Sequence, residues 1–138
     1  MRADHGENQV DFVTIAGLAL LAMPLLTMWH EIGGHAAACV AMGGKVTEIG
    51  AFYVQCSSLD YWPDIFVAAA GVLVDIGLAL FAWAMWARAS SDLARLIWWY
   101  IAVVKGFVAA GYFAFSGVTG QGDLGPSGGF AGLGNPLA

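Results

Sequence analysis

His30-Glu31-Ile32-Gly33-Gly34-His35 places two of the chain's three histidines and an acid inside an otherwise apolar run. Polar side chains in such a run are expensive, and they mark a functional-site candidate. Two histidines one helical turn apart with an adjacent glutamate, H-E-x-x-H, hold zinc while the glutamate acts as general base on a water. Here one residue is inserted between the histidines. At ~100° per residue an i,i+4 pair is offset by ~40° and an i,i+5 pair by ~140°, so a regular α-helix would aim the two rings at different faces. A single π-bulge absorbs the extra residue and restores the common face. Gly33-Gly34 is where that bulge is cheapest. On this reading His30 and His35 bind metal and Glu31 is the base. The alternative is two separate histidines, each satisfied by a neighbouring helix.

Composition says what must position these residues. The chain has 138 residues, 59% of them hydrophobic and 11% charged, with five basic side chains against ten acidic ones. Soluble domains run near ~45–50% and ~25% respectively, so an ordinary soluble globule and a disordered tail are both excluded. The acidic balance excludes nucleic acid as a partner, leaving the lipid bilayer as the surrounding. The expected fold is all-α and integral to the membrane, with three transmembrane helices. They run from Phe12 past His30-Glu31 to Met42, from Ile65 to Ala87, and from about Leu93 to Val118. Asp11 to Met42 as one straight helix would reach ~46 Å against a ~30 Å hydrocarbon core, with Pro24 and Gly33-Gly34 as weak points. Gly43-Gly44 should end it. Between helices 1 and 2, β-branched and aromatic residues over 45–56, broken at Gly50, predict a short β-hairpin or re-entrant segment. The layout is a polar arm over 1–11, a transmembrane core over 12–118 and a Gly/Pro-rich loop over 119–138. The arm is not expected to be a secretory leader, because it has one Arg among three acids and a long apolar run follows it.

The motifs resemble the site-2 proteases, a family of intramembrane zinc metallopeptidases. His30–His35 is followed by Ala36-Ala37-Ala38 and then Gly43-Gly44-Lys45-Val46-Thr47-Glu48-Ile49. The family has H-E-x-x-H, small residues, a glycine and a short β segment in that order. Ala69-Ala70-Gly71-Val72-Leu73-Val74-Asp75 is similar to the family's A-G-P-x-x-N, with Val72 for the proline and Asp75 for the asparagine. Gly122-Asp123-Leu124-Gly125-Pro126 falls where the family carries its third zinc ligand, which would make that ligand Asp123. The resemblance spans roughly residues 24–125. It departs from the family in the inserted residue, in Asp75, and in a chain that ends where members often have further helices. The six-residue H-E-x-x-x-H spacing itself occurs in the dipeptidyl-peptidase III family, which the chain does not otherwise resemble.

The alternating spans bring His30, His35 and Asp123 to one membrane face, as a His-His-Asp zinc site requires. Asp75 and Lys105, near the middles of the second and third spans, reach similar depth in an antiparallel hairpin and can neutralise each other as an intramembrane ion pair. The resemblance offers Asp75 a second role, facing the cavity and positioning substrate. Trp83, Trp86, Trp98, Trp99 and Tyr100 around the second turn form an interfacial belt, with Tyr61-Trp62 at the opposite one. Cys39 and Cys56 fit no cysteine-based zinc spacing. Cys39 among alanines reads as small apolar packing, and the sequence alone does not pair the two.

The expected function is hydrolysis of peptide bonds in a membrane-embedded protein substrate by a zinc-activated water. Glu31 takes the water's proton and returns it to the leaving amine. The resemblance adds that the substrate helix unwinds beside the β segment. One alternative is a non-catalytic accessory or scaffold subunit derived from that family, bound to partner subunits in a larger complex. Another is a metal-binding or transport protein using the same ligands. The expected location is the membrane, the inner membrane in a bacterium. Orientation is open. Arg88 and Arg95 put the second turn in the cytoplasm by the positive-inside rule, whereas the resemblance puts the β segment there.

Overall fold

The computed structural model describes residues 11–57 and 59–119. The predicted arm before Asp11 and the predicted loop beyond Thr119, including Asp123, lie outside the described residues. Asp11 caps the first helix, its carboxylate accepting the Thr14 N–H at 2.7 Å, a bond that holds the Asp11 carboxyl below the usual range. Helix α1 covers Phe12–Met28 and passes through Pro24 without ending. At Trp29 the helix widens into a π segment, Trp29–Ala36, and then tightens again as α2, Ala37–Ala41. The Ala37 N–H bonds back to the Ile32 carbonyl, five residues earlier. The three pieces form one continuous helix from Phe12 to Ala41. Gly43 ends it at φ 83°, with Gly44 N–H donating to the Cys39 carbonyl at 2.8 Å. Only glycine adopts that conformation without strain.

Strands β1, Lys45–Ile49, and β2, Val54–Ser57, pair antiparallel, with an irregularity between Val46 and Glu48. The loop closes through Gly50 N–H donating to the Tyr53 carbonyl at 2.8 Å. Tyr53 also donates its hydroxyl to the Glu48 carboxylate, which pushes the phenol's pKa up. The structure corrects the reading of Cys39 as plain packing, because Cys39 and Cys56 form a disulfide with Cα atoms 5.9 Å apart. The hairpin's fold-back brings β2 against the end of α2, a juxtaposition that a separation of 17 residues does not reveal. Ala38, Val67 and Ala70 are buried around the bridge. Gly44 lies so close that a Cβ there would sit 2.7 Å from Cys56 Sγ.

Helix α3, Tyr61–Arg88, starts four residues earlier than Ile65. Pro63 and Asp64 suit a first turn, where a missing N–H costs nothing and an acid meets the positive helix end. Helix α4, Asp92–Thr119, follows after a three-residue turn. The two helices run antiparallel in one register: Arg95 lies over the Trp86 ring at 5.5 Å, Phe81 meets Trp98 at 5.7 Å, and Asp75 meets Lys105 at 2.6 Å. The π segment packs on α3 with backbones nearly touching, since a Cβ on Gly34 would come within 2.6 Å of Gly71 Cα.

Among the described residues three helices are long and apolar enough to cross a membrane: Phe12–Ala41, Tyr61–Arg88 and Asp92–Ser116. Much of their apolar surface faces outward. In α1 only Leu26 is buried, while Phe12, Val13, Leu20, Leu21 and Leu25 are exposed.

Candidate metal centre

The π segment turns His30 and His35 to the same side. Their Nε2 atoms lie 3.2 Å apart, and both side chains are buried. The opposite nitrogen of each ring settles its tautomer. His35 Nδ1 donates to the Val67 carbonyl at 2.8 Å, and a carbonyl only accepts. His30 Nδ1 donates to Asp75 Oδ2 at 2.8 Å. With both Nδ1 atoms committed to acceptors, the two Nε2 atoms are the positions left facing one another. A 3.2 Å separation suits one proton shared by the two nitrogens, and it also suits a cation held by both. Two Zn–N bonds of ~2.0–2.1 Å at a tetrahedral angle would hold their nitrogens ~3.3 Å apart, close to the separation present here. A carboxylate on the far nitrogen of a ligand histidine is the usual support for such a centre.

Gly71 makes the approach of the rings compatible with α3. A Cβ at this position would lie 2.5 Å from His30 Nε2 and 2.6 Å from His35 Nε2. Tyr112 of α4 stacks on His30 at 5.1 Å and 14°, limiting the ring's swing.

Asp75 is fully buried, and its two oxygens face different partners. Oδ2 takes the His30 N–H, and Oδ1 is 2.6 Å from Lys105 Nζ. Lys105 in turn donates to the Leu26 carbonyl at 2.6 Å, tying α4 to α1. Of the two roles expected for Asp75, the structure therefore holds the ion pair. The Asp75–His30 bond joins that ion pair to the histidine pair, a link that the sequence does not signal. Paired buried charges of this kind avoid the penalty of a lone ion, and here the pairing also fixes a histidine.

Glu31 is buried beside the pair and borders two cavities. One, of about 210 Å³, runs past His30, Lys105 and Tyr112. The other, of about 370 Å³, lies between α1 and the hairpin loop, walled by Pro24, Met28, Ile32 and Ile49–Phe52. Phe52 and Thr27 border both.

The structure thus brings His30, His35, Glu31, Asp75 and Lys105 to one buried locus. Among the described residues no group of three His, Cys, Asp or Glu side chains is placed to hold a metal ion, and Asp123 lies outside them. Tyr112 had a signal in its position two helical turns beyond Lys105, on the same face. The Val67 carbonyl had none, since a backbone acceptor carries no sequence signature. No family model, characterised protein or solved structure matches the chain.

Proposed function

We propose that the chain is an integral-membrane zinc metallopeptidase acting on membrane-embedded protein substrates. The observation that carries this reading is the facing pair of Nε2 atoms, 3.2 Å apart, with each far nitrogen held by its own acceptor. The outward apolar surface of α1 supports the membrane setting, because burying that much aliphatic area in lipid removes a large exposure to water.

His30 and His35 would hold the metal through Nε2, with Asp123 as the third ligand implied by the motif resemblance. Zinc held there would supply Lewis acidity toward a water and the scissile carbonyl. Glu31 accepts the water's proton and delivers it to the departing amine nitrogen, so the proton lost in the attack is recovered in the cleavage. Asp75 keeps the His30 proton on Nδ1, and Lys105 holds the Asp75 carboxylate in position from its other oxygen. The two cavities flanking Glu31 leave room for chain on either side of a scissile bond.

The test is metal analysis of the detergent-purified protein together with cleavage of a membrane-embedded test helix. Wild type is expected to carry about one zinc per chain, as a single mononuclear site would. His30→Ala and His35→Ala lose it, while Glu31→Ala keeps zinc but loses cleavage. A folded wild type without zinc overturns the reading and leaves the accessory-subunit alternative.

A further inference from the structure

The hairpin end of the molecule and the α3–α4 turn end differ in chemistry, and the candidate site lies nearer the first. Resting on the membrane and metallopeptidase reading above, we propose that the site opens onto the oxidising, non-cytoplasmic face of the membrane. Its substrate is then a polypeptide segment presented from that side.

Three independent observations converge. The Cys39–Cys56 bridge fastens β2 to the helix end four residues beyond His35. Disulfides persist in oxidising compartments and are scarce where thiols are kept reduced. At the other end Arg88 and Arg95 flank the short α3–α4 turn, whereas the hairpin and its approach to α3 hold one basic residue, Lys45, with Glu48, Asp60 and Asp64. The excess of Lys and Arg marks the cytoplasmic end, and here that is the turn. Access supplies the third observation. Glu31 is ten residues from Ala41 and nineteen from Phe12. It therefore lies ~15 Å from the hairpin end of its helix and ~28 Å from the other. The larger cavity beside it is walled by the hairpin loop Ile49–Phe52. A substrate reaching Glu31 from the hairpin end crosses the shorter path. The disulfide and the arginines favour this orientation over the cytoplasmic β segment that the motif resemblance implies.

The experiment uses the full chain in the inner membrane of a bacterial host, with intact spheroplasts and a membrane-impermeant maleimide of high mass. Wild type is expected to take no tag until a membrane-impermeant phosphine is added from outside, and then to take a tag on both cysteines without permeabilisation. Ser90→Cys, in the exposed α3–α4 turn of the otherwise unchanged chain, is expected to be tagged only after permeabilisation. Wild-type thiols that react without reductant, or that need permeabilisation, overturn the proposal. So does Ser90→Cys tagged from outside. Zinc content is measured on the same material: correct labelling on zinc-free protein defeats the metallopeptidase reading and leaves the orientation standing, and the converse result defeats the orientation alone.

Discussion

The histidine centre and the hairpin are both held by cross-links, but of opposite kinds. At the centre, His30, Asp75, Lys105 and the Leu26 carbonyl form a chain of hydrogen bonds and charge spanning three helices. Every member is buried, so each depends on the next for the partner that water would otherwise supply. At the hairpin strand β1 is largely exposed, and a covalent bond between Cys39 and Cys56, packed on buried Ala38, Val67 and Ala70, does the fastening. Noncovalent pairing is strong only where water is excluded, and it fails as a unit. A covalent bridge serves where polar pairing is weak.

Breaking the charge chain should have the largest effect. Lys105→Met strands the Asp75 carboxylate, and Asp75→Asn strands the Lys105 ammonium. Each is expected to lose ~3–5 kcal/mol of stability, as removal of one partner from a buried pair does. Zinc retention should fall in both. The double variant Asp75→Asn/Lys105→Met leaves no lone charge and should lose less than the sum of the singles, checked by thermal unfolding in detergent. Additive losses would mean that the two residues are not coupled.

Opening the disulfide should come next. Cys39→Ser/Cys56→Ser is expected to cost ~2–4 kcal/mol, the usual range for closing a loop of this order. Zinc retention should persist, since the histidines are oriented by α3 rather than by the hairpin. Loss of zinc here would show that the two regions are one unit. Gly71→Ala should reverse the pattern. Overpacking costs ~1–3 kcal/mol, but a Cβ pressed against both Nε2 atoms should abolish zinc binding, measured by competition with a chelator.

The π segment gives a finer test. Deleting Gly33 restores four-residue spacing, and the helix can return to regular α turns with both rings still on one side. Zinc affinity should then stay within about tenfold of wild type, or ~1.4 kcal/mol. Inserting an alanine after Gly33 should abolish binding. The smallest effect is expected at Tyr53. The Glu48 carboxylate raises its pKa above the ordinary value of 10.0, so the bond is present below that pH and is lost as pH rises through the raised value. The ultraviolet titration should show one tyrosine ionising late, and Glu48→Gln should return it to the ordinary range without touching zinc content.

Several of these features were legible as pattern. Five-residue spacing of His30 and His35 required a π turn for a common face, and Trp29–Ala36 is a π segment. The β-branched run broken at Gly50 gave a hairpin, because strand propensity and a glycine turn act locally. Asp75 and Lys105 meet because two antiparallel helices joined by a short turn have a fixed register. What escaped was contact between elements distant in sequence. Nothing in the residue string says that Cys56 reaches Cys39, that Asp75 has an oxygen left for His30, or that His35 bonds the Val67 carbonyl.

The amino-acid sequence by itself determined the apolar helices, the hairpin and the short roster of polar residues inside them, since periodicity, propensity and the cost of a buried charge are properties of a local string. Only the tertiary structure decided how that roster is wired. Two glycines, Gly34 and Gly71, let the π segment and α3 meet at backbone distance, and that contact sets which nitrogen faces which. The direction of a lone pair follows from the partner of the opposite ring nitrogen, and here that partner lies 32 residues away for His35 and 45 for His30.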